Sequence, residues 1–368
     1  MLDRRLIQNI DWLLLLVVLI IAAVSILNLY SATYPIREEG GAQIFAKQIY
    51  WFFSGFFVFL VMTTFNYFVL ERIAYPAYIV SVILLVLVIV IGKVTSGSQR
   101  WLSLGLFSFQ PSELEKIVIL IVFAKFFSEK GGFQKYRLRD LWQPFLILAM
   151  PFLLILKEPD LGTALLIVLV SVSVIFFVNI YWKSLMILVV SAFAAAPIIW
   201  FNLKEYQQAR ILTFIRPEMD PLGAGYHINQ SKIAIGSGLF WGKGFLKGTQ
   251  TRLNFLPEQH TDFAFSVLAE EWGFFGTAIL LLLYLFLILC GLSIAKNSKD
   301  KFGSILAIGI VAMLFWQVVI NVGMVAGLLP VVGIPLPLFS YGGSSLITTM
   351  AAIGLLMNIR MRRFMFSA

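Results

Sequence analysis

The sequence predicts an all-α polytopic membrane protein, with about ten transmembrane helices and a large extracytoplasmic loop between helices 7 and 8. Of its 368 residues, 60% are hydrophobic and only 13% are charged, and the mean hydropathy is +0.90. A soluble domain has too little interior to bury so much apolar surface. The hydrophobic runs are about 20 residues long, which suits a helix that crosses a bilayer and is about twice the length of a barrel strand.

Ten hydrophobic runs divide the chain, and we interpret residues 1–368 as one integral membrane domain. The predicted spans are 12–33, 46–65, 75–93, 112–128, 143–157, 161–179, 184–201, 263–292, 303–328 and 341–359. The first run is too long for the apolar region of a cleaved signal, so this helix is expected to remain in the mature protein. The single cysteine, Cys290, excludes an intramolecular disulfide.

The distribution of basic residues predicts the orientation. With the N-terminus inside, the inner segments carry fourteen Lys and Arg residues, Arg4 and Arg5 among them, whereas the short outer loops carry five. Cytoplasmic loops are the ones enriched in Lys and Arg, so both termini are expected in the cytoplasm and the polar segment 202–262 outside. The net charge of +9 therefore indicates topology and lipid-headgroup contact rather than nucleic-acid binding.

The long polar segment has a glycine-rich stretch that a simple helix would not tolerate. Its glycines are Gly236, Gly238, Gly242, Gly244 and Gly248. Glycine destabilises helix interiors, so an irregular chain is expected here. Aromatic residues alternate with these glycines, which favours a folded loop that lies on the membrane surface.

Two charged sites lie near the start of the fourth span: the pair Glu113 and Lys116 within its first turns, and Arg100 in the loop before it. Glu113 and Lys116 are three residues apart on one helical face, which predicts an ion pair. An acidic residue near a helix start is ordinary, but an ammonium within a membrane helix needs a partner or a wet cavity. Functional and structural roles both remain open for this pair. Arg100, beside Trp101 in the preceding outer loop, either anchors the helix at the interface or binds phosphate.

The stretch 321–345 is apolar but cannot form one continuous helix, because it contains Pro330, Pro335 and Pro337. Irregular backbone at membrane depth is tolerated only where it is buried in protein or lines a cavity. The stretch is therefore expected to form the wall of a groove that opens toward the outer leaflet.

The stretch 255–273 combines the end of the polar segment with the start of the eighth span. Asp262 immediately precedes that span, so it is either a helix cap or a reactive carboxylate. His260 is a weak metal-ligand candidate, because the chain has only two histidines and no His-Glu-x-x-His pattern. No dedicated metal cage is predicted, and a requirement for a divalent cation is left open.

Five motifs in order resemble the SEDS family of bacterial cell-wall proteins (shape, elongation, division and sporulation) over essentially the whole chain. They are Gln110-Pro111-Ser112-Glu113, Pro159-Asp160-Leu161-Gly162-Thr163, Gln230-Ser231-Lys232-Ile233-Ala234, Leu256-Pro257-Glu258 with His260-Thr261-Asp262-Phe263, and the stretch 321–345. The glycine-rich loop looks most like that of the family member that acts in cell elongation.

The resemblance implies a peptidoglycan glycosyltransferase that polymerises lipid II at the outer face of the bacterial cytoplasmic (inner) membrane. The resemblance implies that Asp262 is the family's essential outer-loop aspartate and that Glu113 and Lys116 are the family's glutamate and lysine of helix four. An inverting displacement needs one base, for which Asp262 is the best candidate, and cations for the diphosphate. The predicted substrate-binding residues are Glu113, Lys116, Arg100, Lys243, Glu258, His260, Ser340 and Ser344.

The implied partners are a class B penicillin-binding protein, which crosslinks the glycan, and other membrane proteins of the elongation complex. Two alternatives remain. A lipid II flippase would need no base and should offer access from both faces, whereas the polar residues of this chain are concentrated outside. A scaffold for a crosslinking enzyme would make Asp262 dispensable.

Overall fold

A computed structural model describes residues 9–95, 98–104, 107–130, 135–202, 205–220, 223–256 and 258–363. Arg4, Arg5 and Pro257, which entered the sequence argument, lie outside the described residues. The helices are α1 (Trp12–Thr33), α2 (Ala42–Thr64), α3 (Phe68–Ile91), α4 (Pro111–Glu129), α5 (Trp142–Lys157), α6 (Leu161–Phe177), α7 (Trp182–Asn202), α8 (Glu205–Ile215), α9 (Ala224–Ser237), α10 (Thr249–Arg252), α11 (Ala264–Lys296), α12 (Lys301–Val325) and α13 (Gly343–Arg362). The predicted all-helical membrane fold is confirmed.

Helices occupy all ten predicted spans, but they differ in length and polarity. Among the described residues, seven helical segments are long and apolar enough to cross a membrane, and two shorter apolar helices lie at Leu161–Phe177 and Trp182–Ser191. The tenth, α4, has 19 residues and carries the charged groups near its start. The largest boundary error is at α3, which begins at Phe68 rather than at residue 75 and contains Pro76 in its interior.

Helices α12 and α4 form the centre of the bundle. Helix α12 packs against α4, α6 and α11, and α4 also packs against α3. Another pairing joins α2 to α13 along their lengths. The apolar window of α12 is 72% buried inside the protein, whereas those of α2 and α3 are each 22% buried. Helices α2 and α3 therefore present most of their surface to lipid.

Contacts between distant segments place both ends of the described chain on one side of the bundle. Arg360 Nε, near the end of α13, lies 3.4 Å from the carboxylate of Asp11, which caps the start of α1. On the same side, Tyr67 before α3 donates a hydrogen bond to Asp300 before α12. This arrangement matches an even number of crossings.

A small antiparallel sheet, which the sequence analysis had treated as a loop, precedes α4. Strands β1 (Lys93–Thr95), β2 (Ser98–Leu104) and β3 (Phe107–Phe109) lie in the order β1-β2-β3. Within the second pairing, Leu102 lies opposite Phe109 and Ser103 opposite Ser108. The sheet holds Arg100 on a short strand beside the start of α4, rather than on a mobile loop.

The polar segment folds onto α11, and its glycine-rich part has no helix from Gly238 to Gly248, as predicted, whereas Gly236 lies within α9. Helix α11 is interrupted at Gly273, whose φ is +63°. A Cβ at this position would lie 2.4 Å from the backbone nitrogen of Gly242 and 2.7 Å from the carbonyl oxygen of Phe240. Only glycine therefore allows the loop and the interrupted helix to approach so closely.

The apolar segment between α12 and α13, residues 326–342, has no helix, as predicted. Its buried carbonyl groups accept hydrogen bonds from side chains of neighbouring helices. Tyr284 Oη donates to Pro337 O at 2.6 Å, and Ser25 Oγ donates to Phe339 O at 2.7 Å. These bonds satisfy irregular backbone that could not be exposed to lipid.

Candidate active site

A cavity of about 170 Å³, lined by several charged side chains, lies between the starts of α4, α6 and α13 and the segments that precede α11 and α13. Five predicted site residues line it: Arg100, Glu113, Lys116, Asp262 and Ser344. The other lining residues are Trp101, Gln110, Asp160, Thr163, Leu166, Thr261, Gly333, Ile334, Pro335, Tyr341, Gly342 and Ser345. Two cationic and three carboxylate side chains therefore share one cavity.

The predicted ion pair at the start of α4 is present. Lys116 Nζ lies 2.7 Å from both carboxylate oxygens of Glu113. Both side chains are buried, and Pro111 occupies the first turn of the helix, where its missing N–H costs nothing. Because the partner is three residues away on the same helix, the ammonium is neutralised locally and remains beside the cavity.

Asp262 does not cap α11. The residue before the helix is Phe263, and it makes no side-chain cap hydrogen bond. The backbone of Asp262 is held instead, because Asn321 Nδ2 donates to its carbonyl oxygen at 3.0 Å and to that of Ile334 at 2.8 Å. This amide joins the segment before α11 to the irregular segment 326–342, so the position of Asp262 depends on both.

The carboxylate of Asp262 faces the cavity opposite a glycine. A Cβ on Gly333, whose φ is +74°, would lie 3.4 Å from Asp262 Oδ2. Burial, and then the negative charge of Glu258, raise the pKa of Asp262 to about 6, while Arg210 and Arg100 oppose this shift more weakly. No cation forms a salt bridge with Asp262 within the described ranges. The carboxylate is therefore more basic than an ordinary aspartate.

Arg100 is fixed in the cavity wall by the turn between α5 and α6. Its Nε donates to Glu158 O at 3.3 Å, a terminal nitrogen donates to Pro159 O, and Nη1 lies 3.7 Å from Asp160 Oδ1. Asp160 in turn accepts hydrogen bonds from Thr163 Oγ1 at 2.9 Å and Gln110 Nε2 at 3.2 Å. One buried carboxylate thus orients a cation, a hydroxyl and an amide.

Four predicted substrate-binding residues lie outside the cavity lining. Lys243 Nζ makes a 2.7 Å salt bridge with Glu270 and so ties the glycine-rich loop to α11. Ser340 is buried, and its hydroxyl accepts a hydrogen bond from Leu336 N. Both side chains have structural partners that account for their positions.

The other two outlying residues lie next to the lining. Glu258 accepts a 2.9 Å hydrogen bond from the hydroxyl of Thr261, which does line the cavity. The ring of His260 packs against that of Tyr341 at 5.8 Å, and Tyr341 N donates to His260 O. Glu258 and His260 therefore contact lining residues, Thr261 and Tyr341, without being part of the lining themselves.

Several lining residues were not predicted from the sequence. Gln110, Asp160, Thr163 and Thr261 belong to the motifs that carried the family resemblance, so motif membership was the signal that could have found them. Tyr341 and Ser345 also belong to a motif, the stretch 321–345, but that stretch is too long for membership alone to single them out. Among the residues that the structure describes, no three His, Cys, Asp or Glu side chains are grouped so as to hold a metal ion.

Comparison with known proteins identifies the family. The sequence model of the FtsW/RodA/SpoVE cell cycle proteins matches residues 11–364. The chain belongs to this family, the SEDS family. Among SEDS relatives, the Escherichia coli K12 peptidoglycan glycosyltransferase MrdB is 44% identical, over 98% of this chain and 95% of MrdB. The Bacillus subtilis stage V sporulation protein E is 35% identical, over 95% of this chain and 96% of that protein.

Solved structures of SEDS proteins have the same fold. A chain from a peptidoglycan synthase complex, described as coordinating polymerization and crosslinking, superposes with a TM-score of 0.83 at 33% identity, covering 97% of this chain and 99% of its own. The crystal structure of the Thermus thermophilus rod shape determining protein RodA gives a TM-score of 0.71 at 30% identity, covering 97% of this chain and 98% of RodA.

Proposed function

We propose that this SEDS protein is a peptidoglycan glycosyltransferase that polymerises lipid II during cell elongation, with Asp262 as general base. The observation that carries the proposal is the presence of Asp262, Lys116 and Arg100 in one cavity. A base and two cations are the groups that an inverting transfer from a sugar diphosphate requires.

The transfer is a single displacement at the anomeric carbon of the donor. The hydroxyl oxygen of the acceptor sugar forms the new glycosidic bond, and the bond from the anomeric carbon to the diphosphate oxygen breaks. The hydroxyl proton passes to a carboxylate oxygen of Asp262, and the diphosphate leaves with the bonding electrons. Because diphosphate is a good leaving group, no general acid is needed, unlike in glycoside hydrolysis, which uses two carboxyl groups.

The raised pKa suits Asp262 to this role. With a pKa of about 6, Asp262 is mostly ionised at pH 7 and yet binds a proton more readily than an ordinary aspartate. General bases are most effective when their pKa lies near the working pH. Burial and the neighbouring Glu258 provide this shift, which the charges of Arg210 and Arg100 offset only in part.

The two cations are placed to stabilise the departing diphosphate. Lys116 has three N–H donors and Arg100 has five, so each can contact a phosphate oxygen while keeping its carboxylate partner. Glu113 and Asp160 hold these side chains in place before substrate arrives, which limits the reorganisation needed in the transition state. A divalent cation, if the reaction uses one, would be shared between the diphosphate and a lining carboxylate, as is usual for Mg²⁺.

The proposed setting is the bacterial cytoplasmic (inner) membrane, with the cavity on the outer face and both termini in the cytoplasm. The excess of Lys and Arg on the inner segments supports this orientation. We also propose that the protein works in a peptidoglycan synthase complex with a class B penicillin-binding protein and other elongation proteins. The similarity to a chain from such a complex supports this partnership.

The test is glycan synthesis by the purified protein from labelled lipid II, with and without the crosslinking partner. We expect polymers that a muramidase degrades, and we expect none from the Asp262→Asn variant. Movement of lipid II across vesicle membranes without polymer formation would refute the proposal and favour a flippase. Normal polymer from Asp262→Asn would refute the assignment of the base.

A further inference from the structure

A second cavity, of about 250 Å³, lies where the end of α1 meets the start of α2. Its lining residues are Tyr30, Thr33, Tyr34, Arg37, Ala42 and Phe45. None of these residues belongs to the catalytic cavity or to the motifs that carried the family resemblance. We call it the α1–α2 cavity. Three aromatic rings and one cation are the kind of lining that ligand sites use, because apolar faces provide contact area and a few polar groups provide orientation.

Aromatic rings are grouped around Tyr30 in this cavity. The centroid of its ring lies 5.5 Å from that of Phe45 and 6.1 Å from that of Tyr34. Phe245 of the glycine-rich loop adds a nearly parallel ring at 6.3 Å. The face of an aromatic ring carries partial negative charge. Such a face attracts the C–H groups on the flat side of a pyranose ring, so the cavity suits sugars.

Arg37 supplies the polar part of the lining. It begins the short π-helical turn Arg37–Gly41, and its side chain is exposed. Within the described ranges, no carboxylate forms a salt bridge with it. A guanidinium in this setting has donors available for sugar hydroxyl, acetamido or carboxylate oxygens.

The α1–α2 cavity lies beside the segment that carries the catalytic aspartate. Asn28 Nδ2 donates to Ala264 O at 2.9 Å, and Gln259 Nε2 donates to Ala32 O at 2.9 Å. Tyr34 is six residues beyond Asn28, which is about 9 Å along a helix. Helix α1 therefore contacts both ends of the segment 259–264, which contains Asp262.

We propose that the α1–α2 cavity binds β-1,4-linked N-acetylhexosamine rings of the nascent glycan strand and retains the strand between successive additions. This inference rests on the polymerase function proposed above. A strand that is held at the end of α1, where Ala32 contacts Gln259 of the segment that carries Asp262, is more often extended than released. The cavity should therefore control the length of the product rather than the rate of bond formation.

The experiment compares Tyr34→Ala and Arg37→Ala with matched controls. Both side chains are exposed, so these variants should fold. The controls are Tyr50→Ala and Lys47→Ala, which change exposed side chains of α2 that do not line the cavity. Three quantities are measured: the binding of chitohexaose, a β-1,4-linked hexamer of N-acetylglucosamine, the initial rate of lipid II consumption, and the length distribution of the glycan.

We expect Tyr34→Ala to weaken chitohexaose binding by about 2–10-fold, because one aromatic contact is lost. Both cavity variants should make shorter strands at an unchanged initial rate, and both controls should behave like the wild type. Chitohexaose binding that is unchanged in both cavity variants would overturn the inference. It would also be overturned if the cavity variants lost a co-purifying phospholipid that the wild type retains, while their glycan strands kept the wild-type length. If the wild type makes no polymer at all, the proposed function fails, whereas the binding comparison still tests the cavity.

Discussion

Replacing Asp262 by Asn should abolish glycan synthesis and, at the same time, make the protein more stable at neutral pH. Burial and Glu258 raise the pKa of Asp262 from 3.8 to about 6. One pKa unit corresponds to 1.36 kcal/mol, so the ionised carboxylate destabilises the folded state by about 3 kcal/mol at pH 7.5. Asparagine has nearly the same size and carries no charge, so the variant should regain most of this free energy.

The sign of this effect predicts how it depends on pH. The folded state binds the proton of Asp262 more tightly than the unfolded chain does, because its pKa is the higher of the two. The stabilisation by this proton is fully present below about pH 4 and is lost as the pH rises from about 4 to 6. The stability advantage of Asp262→Asn over the wild type should therefore be small near pH 4.5 and largest above pH 6.

The assay combines thermal unfolding in detergent micelles, across this pH range, with glycan synthesis from lipid II. Loss of base catalysis alone typically lowers the rate by about 10²–10⁴-fold, so polymer from Asp262→Asn should be undetectable. Wild-type activity should fall in proportion to the ionised fraction of Asp262 below about pH 6. Lipid II binding at pH 7.5 should persist in the variant.

Glu258→Gln is the matched control, because it removes the neighbouring charge but leaves the base. The pKa of Asp262 should fall, so the acid limb of the pH–activity profile should move to lower pH while synthesis continues. An Asp262→Asn protein that is less stable than the wild type at every pH would contradict this reasoning. So would a stability difference that is the same at pH 4.5 and pH 7.5, or a pH profile that Glu258→Gln does not move.

Three further predictions concern the Glu113–Lys116 ion pair, the close approach at Gly273 and the orientation of the chain in the membrane. Lys116→Met should abolish synthesis and, by leaving Glu113 buried and unpaired, should destabilise the protein by about 3–5 kcal/mol; adding Glu113→Gln should restore the melting temperature but not the synthesis. Gly273→Ala should lower thermal stability by at least about 1–3 kcal/mol, because its φ of +63° and its contact with Gly242 exclude a side chain; an unchanged melting temperature would contradict this close approach. A cysteine at Gln250, in a Cys290→Ser background, should react with an impermeant maleimide added to intact spheroplasts; labelling only after lysis would reverse the proposed orientation.

The sequence predicted those parts of the site that depend on local spacing. Glu113 and Lys116 are three residues apart on one helix, so their pairing follows from helical geometry alone. The irregular segment 326–342 follows from prolines in an apolar stretch, which cannot form one continuous helix. Both conclusions need no knowledge of how the helices pack.

Residues whose roles depend on tertiary contacts were not predicted well. Lys243 was expected at the substrate, but its ammonium pairs with Glu270 of α11, and nothing near Lys243 in the sequence announces that partner. Asp160 was recognised only as part of a motif, whereas its role follows from contacts with Arg100 and Gln110, which lie on different elements. The capping alternative for Asp262 was reasonable from position alone, and the start of α11 at Ala264 excludes it.

The pairing of charges explains how one cavity can hold two cations and still contain a carboxylate with a raised pKa. Lys116 is neutralised by Glu113, and Arg100 lies beside Asp160. If either cation were instead paired with Asp262, the pKa of that carboxyl would be lowered, and the carboxylate would be a poor proton acceptor. The two partner carboxylates therefore have a chemical consequence although neither takes the proton. They keep both cations beside the cavity, and they leave Asp262 without a salt bridge among the described residues, so that burial and the charge of Glu258 can raise its pKa.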